Sequence, residues 1–125
     1  AKLARMRAEE AAFAKNVQLR DFHIGRAELD AYRRTLRALR RTTDHLAVVI
    51  LPVTQQYIDA HPRGARDYDH WVRVVTRIAR EERVDILDET DAMPASAFRD
   101  LEHLDLAGAL RFSDQVRESL HGLGW

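Results

Sequence analysis

Two pairs of side chains in this sequence have the types and the spacing needed to share a proton. Asp100 stands three residues before His103, and Asp67 stands three residues before His70. A carboxylate that accepts a hydrogen bond from imidazole Nδ1 fixes the tautomer of the ring, which leaves Nε2 free to take a proton from a nucleophile. Because the spacing occurs twice, spacing alone does not choose between the pairs.

The surroundings of the two pairs differ. Asp67 and His70 lie at the start of a predicted amphipathic helix, where a capping or surface role is the ordinary interpretation. Asp100 and His103 follow a predicted strand and turn, and a helix capped by Asp105 begins directly after them. A turn held between two elements can orient both side chains. We therefore take Asp100 and His103 as the candidate catalytic residues.

The stretch from Phe98 to Ser113, FRDLEHLDLAGALRFS, resembles the last motif block of SGNH/GDSL hydrolases. In that block an Asp-x-x-His pair precedes a small polar residue and then Gly-Ala, and Asp105, Gly108 and Ala109 fill those places. The segments VVILPV (48–53) and VDILD (84–88) also resemble late strands of the family. The layout over residues 28–120 is most similar to the branch that contains alginate O-acetyltransferase-like and DltD-like cell-envelope proteins.

This resemblance implies an esterase or O-acyltransferase that acts on carbohydrate or cell-envelope esters. A serine would attack the acyl carbon, His103 would act as base and then acid, and Asp100 would orient the imidazole. The family's Gly-Asp-Ser motif and its oxyanion-hole glycine and asparagine are missing here, and Ser96, Ser113 and Ser119 stand in no such motif. We therefore expect a C-terminal fragment that is inactive by itself, since loss of a triad nucleophile costs about 10⁶ in turnover.

The alternative function is a non-catalytic binding or oligomerisation module, such as a degenerate hydrolase domain. The chain begins with Ala1 and not with methionine, which suggests a piece of a longer protein, although removal of an initiator methionine before Ala1 would give the same start. The family likeness favours a parent outside the cytoplasm or anchored in the membrane. The gene upstream of Ala1 separates the two functions, because only the enzyme requires a Gly-Asp-Ser motif there.

Composition excludes several other classes of function. The 20 Lys and Arg residues balance the 20 Asp and Glu residues, so no basic footprint for nucleic acid is expected. The chain has no cysteine, and its six histidines lack metal-ligand spacing, so neither disulfides nor a metal or other cofactor is expected. No apolar run reaches about eighteen residues, so we expect no membrane contact by this segment.

The predicted elements alternate in the manner of an α/β protein. Apolar periodicity predicts helices over 1–19, 27–42, 67–82 and 106–120, and short apolar runs predict strands over 46–53 and 84–87. The expected fold is a partial three-layer, flavodoxin-like SGNH sandwich with a short parallel sheet covered on both faces. An all-helical N-terminal segment (1–26) precedes the hydrolase part (27–125).

Two strands are too few for a complete sheet of this kind, so an exposed strand edge is expected to pair with a second copy of the chain. The last helix is predicted to bury a stripe formed by Leu106, Leu110, Val116 and Leu120. His61 is predicted to lie in a loop, and the arginine-rich segment 33–41 is predicted to be a solvated helix face.

Overall fold

The computed structural model describes all residues, 1–125, and has a mixed α/β architecture with a two-stranded parallel sheet. The elements in chain order are α1 (Lys2–Phe13), α2 (Arg26–Arg40), β1 (Ala47–Ile50), α3 (Gln55–Asp59), α4 (Ala65–Glu81), β2 (Asp85–Asp88) and α5 (Leu106–Gly122). A π-helical turn (Ala14–Gln18) extends α1, and a 3₁₀ turn (Ala95–Ala97) precedes the loop that carries Asp100. The coarse prediction of an α/β fold is confirmed, and α3 lies in a segment for which the sequence predicted neither a helix nor a strand.

The sheet consists of β1 and β2 in parallel, with Ala47 opposite Asp85 and Ile50 opposite Asp88. The edge of β1 that faces away from β2 has no strand partner. Ile50 is the only buried residue of β1, and Leu51, directly after it, is 62% exposed. The other three residues of β1 are only partly buried, so the strand is covered less completely than its uniform apolarity predicts.

The main core lies where α2 and α4 pack against the sheet. Its buried members are all aliphatic: Leu36, Val74, Ile78, Ala79 and Val84. Removing such a side chain from water contributes about 1.5–3 kcal/mol for each large residue. At the rim, Arg33 and Arg37 of α2 bind Glu82 at the end of α4, with N–O distances of 2.7 and 2.8 Å.

A smaller core joins the N-terminal segment to the loop between β2 and α5. It contains Ala14, Leu19, Ala60 and Leu101, all of them buried. Leu101 lies between Asp100 and His103 in sequence, so its burial anchors this loop on the small core. Arg7 of α1 adds hydrogen bonds to the carbonyl oxygens of Ala95 and Phe98, at 3.1 and 3.4 Å.

Helix α5 begins where the sequence predicts, because the side chain of Asp105 accepts the Gly108 N–H at 2.7 Å. Its predicted buried stripe is wrong, since Leu106 and Leu110 are 78% and 62% exposed and Val116 and Leu120 are only partly buried. The helix packs through Gly108 instead, where a Cβ atom would collide with the Ala97 carbonyl oxygen. None of the helices has the length and apolar character that a membrane crossing requires.

Candidate functional site

The loop that carries Asp100 and His103 is closed at its base by backbone hydrogen bonds. Phe98 and Leu104 form an isolated antiparallel bridge, and the Arg99 N–H donates to the His103 carbonyl at 3.0 Å. The Asp105 N–H donates to the Ala97 carbonyl at 2.9 Å. The two ends of the loop are thus fixed to each other just before α5 begins.

Within the loop, the Asp100 carboxylate organises the backbone around itself. Its Oδ1 accepts the N–H groups of Glu102 and His103 at 2.9 and 2.7 Å. Aspartate commonly closes non-helical turns in this way, by bonding to N–H groups two and three residues ahead. The turn brings the His103 side chain back toward the same carboxylate.

The imidazole of His103 lies directly on the Asp100 carboxylate. Nδ1 is 2.9 Å from Oδ2 and 3.0 Å from Oδ1. This geometry suits an Nδ1–H that donates to the carboxylate. Nε2 makes no hydrogen bond within the chain, and the His103 side chain is 59% exposed. The pair therefore has the arrangement of an oriented base with an open second nitrogen.

The pKa of Asp100 lies below its ordinary value. Burial raises this pKa, but the N–H groups of Glu102 and His103 and the His103 ring stabilise the anion and together outweigh burial. Asp100 is consequently ionised at neutral pH. An ionised carboxylate can both hold the Nδ1 proton and stabilise an imidazolium.

Two clefts meet beside His103. The first, of about 450 Å³, separates the loop from α1 and is lined by Met6, Glu9, Glu10 and Phe13. The second, of about 810 Å³, is mostly apolar and extends from His103 past Tyr57 to Trp71. Burial, and then the charge of Glu102, raise the pKa of Tyr57, so its hydroxyl is protonated at neutral pH.

The larger cleft follows the unpaired edge of β1. The consecutive residues Val48, Val49, Ile50 and Leu51 all line it. Neighbouring side chains of a strand point to opposite faces of the sheet, so a single cleft can touch all four only along the strand edge. The cleft therefore lies between this strand edge and apolar side chains from other elements, among them Phe22, Tyr32 and Trp71.

Asp67 and His70 are not brought together. The Asp67 carboxylate turns back and accepts the Arg63 N–H at 2.9 Å and the Arg63 Nε–H at 2.8 Å. Burial raises the pKa of Asp67, but the Arg63 backbone and guanidinium outweigh it and lower that pKa. His70 is exposed and makes no hydrogen bond with Asp67.

None of the three serines pairs with His103. Ser96 is exposed in the 3₁₀ turn, Ser113 donates to the Ala109 carbonyl at 2.9 Å, and Ser119 donates to Glu89 at 2.8 Å. The chain therefore places no serine beside the Asp100–His103 pair. It also contains no group of three or more His, Asp or Glu side chains arranged to hold a metal ion.

Two buried polar residues near the site, His61 and Thr54, have contacts that the sequence did not reveal. His61 lies in a loop, as predicted, but is buried, and its ring packs edge-on against Phe22, Tyr57 and Tyr68 at centroid distances of 4.8, 5.4 and 5.6 Å. Thr54 is also buried and donates to the Leu101 carbonyl. Both bond to backbone carbonyls, which no spacing of residue types reveals.

Comparison with models of protein families, with curated proteins and with solved structures gives no match to this chain.

Proposed function

We propose that this chain is the C-terminal part of an SGNH-type esterase or O-acyltransferase that acts on carbohydrate or cell-envelope esters. It supplies Asp100 and His103 to a Ser-His-Asp triad and is inactive by itself. One observation carries the proposal: Asp100 holds Nδ1 of His103 at 2.9 Å and leaves Nε2 unbonded on a side chain that is 59% exposed.

In this function, Nε2 of His103 removes the proton from a serine hydroxyl supplied by the rest of the protein. The serine oxygen attacks the acyl carbon, and His103 then returns the proton to the leaving alkoxide. Water or an acceptor hydroxyl releases the acyl group by the same steps in reverse. Asp100 stabilises the imidazolium that forms in each half of the reaction.

The uncovered edge of β1 supports the finer fold assignment. A partial three-layer, flavodoxin-like sandwich lacks the strands that would continue its sheet, and here β1 has an unpaired edge beside an apolar cleft. The loop of Asp100 lies at the carboxyl end of β1, where Thr54 bonds to Leu101. Active sites of parallel sheets lie at that end. By the same proposal, the intact protein works outside the cytoplasm or from a membrane anchor.

Ester hydrolysis by the longer protein tests this function. We expect His103→Asn to lower kcat on a nitrophenyl ester by roughly 10⁴-fold or more, because the base is lost. His70→Asn is the matched control, since it changes the same residue type at the same spacing from an aspartate, and we expect activity within twofold of the unaltered protein. Full activity in His103→Asn, or equal losses in both variants, would exclude the proposed triad.

The unpaired edge of β1 favours a second candidate function, an oligomerisation module. The Ile50 carbonyl accepts the Glu89 N–H at 3.0 Å on the β2 side, so the backbone groups of Val49 and Leu51 face the unpaired edge. No charged residue occurs from Leu46 to Val53. Natural edge strands are usually protected by charge, so this edge suits antiparallel pairing with β1 of a second copy.

Sedimentation tests this pairing. We expect a dimer at micromolar concentration, and we expect Leu51→Lys to yield monomers because it places a charge at the paired edge. Leu110→Lys is the control, since Leu110 and Leu51 are both 62% exposed but Leu110 lies on α5. A monomeric unaltered chain would rule out the dimer and leave the enzyme proposal unaffected.

A further inference from the structure

Thr54 connects the end of the sheet to the loop of the Asp100–His103 pair. Its hydroxyl donates to the Leu101 carbonyl at 2.7 Å, and its N–H donates to the same oxygen at 3.0 Å. No other element donates a hydrogen bond to the backbone of residues 100–103. The position of this segment relative to β1 is thus set by one residue together with the burial of Leu101.

A second hydrogen bond, from the Tyr57 N–H, fixes the orientation of the Thr54 hydroxyl. Thr54 is the N-cap of α3, and its oxygen accepts the Tyr57 N–H at 3.2 Å. The oxygen therefore has a donor on the α3 side, and its proton is directed to Leu101. Because Thr54 is 5% exposed, water cannot easily replace either bond.

We propose that Thr54 is a positioning residue for the Asp100–His103 pair. By holding the Leu101 carbonyl, it keeps the turn in the shape in which Asp100 Oδ1 collects the Glu102 and His103 N–H groups. That shape places the ring of His103 on the Asp100 carboxylate. The catalytic consequence rests on the proposed function, whereas the positioning itself is a property of this chain.

A merely structural role for Thr54 makes a different prediction. Leu101 is anchored by its own burial against Ala14, Leu19 and Ala60, which a change at Thr54 does not remove. If that burial alone set the loop, loss of the hydroxyl would lower the stability of the chain and leave the imidazole proton on Nδ1. A measurement of the proton's location therefore separates the two roles.

The test compares Thr54→Val, which removes the hydroxyl at nearly constant shape, with Thr54→Ser, which keeps it. The readout is the tautomer of neutral His103, measured by long-range ¹H–¹⁵N NMR on the whole chain. We expect mainly Nδ1–H in the unaltered chain and in Thr54→Ser, and mainly Nε2–H in Thr54→Val. Thr35→Val is the control, because the Thr35 hydroxyl also donates to a backbone carbonyl, that of Ala31, but on exposed α2.

Two results would overturn the proposal: an unchanged Nδ1–H population in Thr54→Val, or an equal loss in Thr54→Ser. Urea unfolding of each variant is measured alongside, so that a change in stability is not mistaken for a change in tautomer. If Thr54→Val does not fold, the unaltered chain still provides a test. In that chain the Thr54 hydroxyl proton should exchange slowly with water and show cross-relaxation with Tyr57 and Leu101. Absence of this proton signal from the spectrum would also overturn the proposal.

The ester assay distinguishes failure of this inference from failure of the proposed function. In an active longer protein, we expect Thr54→Val to lower kcat on the order of tenfold with an unchanged KM, because the base is displaced while substrate contacts remain. If no ester is cleaved, the triad proposal fails, but the tautomer shift in Thr54→Val still establishes the positioning role. If esters are cleaved and the tautomer does not shift, only the role of Thr54 fails.

Discussion

The Asp67–His70 and Asp100–His103 pairs have the same spacing in sequence, but only in the second pair does the carboxylate contact the imidazole. In the first region the chain is already helical, so the aspartate turns back to the N–H and guanidinium of Arg63 and the histidine points into solvent. In the second region the chain is not helical, and the aspartate collects the N–H groups ahead of it. The backbone between the two residues, and not their separation, decides whether the carboxylate meets the ring.

The carboxylates of Asp67 and Asp100 also differ in how much each contributes to stability. Asp67 is 5% exposed and bonds to Arg63 just before α4 begins, which places it in the structural framework. The Asp100 side chain is 29% exposed and lies at the surface of a loop. We therefore expect the larger change in stability at Asp67 and the larger change in histidine chemistry at Asp100.

The largest expected effect on stability follows from Asp67→Ala. Loss of the hydrogen bonds to Arg63 should lower the free energy of unfolding by about 1–2 kcal/mol. Urea denaturation followed by circular dichroism measures this change. Asp69→Ala, at an exposed neighbouring position on α4, is the control and should change stability by less than about 0.5 kcal/mol. Equal losses in the two variants would contradict the framework role of Asp67.

A smaller effect on stability, joined to a change in proton location, is expected for Asp100→Asn. The amide oxygen of asparagine can still accept the Glu102 and His103 N–H groups, so stability should fall by only about 0.5–1 kcal/mol. The amide NH₂ donates instead of accepting, so Nδ1 of His103 should lose its proton to Nε2.

NMR of the same sample supplies an internal reference for Asp100→Asn, because His70 reports on the region that the substitution does not touch. Its tautomer should be the same in the variant and in the unaltered chain. A His103 ring that stays protonated on Nδ1, or a His70 ring that changes as well, would refute the difference drawn between the two regions.

Local patterns in the sequence predicted part of this structure well. The long helices, the two strands and the Asp105 cap follow from periodicity and from capping residues, which act within a few positions of themselves. The Asp100–His103 contact also followed, because a turn before a capped helix limits where both side chains can point.

The faces that each element buries could not be predicted in the same way. Leu106 and Leu110 have ideal spacing for a buried stripe, yet α5 packs through Gly108, where the absence of a side chain permits close approach to Ala97. Which face of a helix is buried depends on the shape of the neighbouring element, which here is the 3₁₀ turn that contains Ala97. Likewise, the bonds from Thr54 to Leu101 join residues 47 positions apart, and no pattern within one segment encodes them.

The small core beneath the loop has a consequence for how the chain folds. Leu101 is buried against Ala14 and Leu19, which lie roughly eighty residues earlier in the sequence. Closing a loop of that length costs chain entropy that contacts between sequence neighbours do not cost. We therefore expect the Asp100–His103 turn to be anchored on this core later in folding than the local contacts within α4 form.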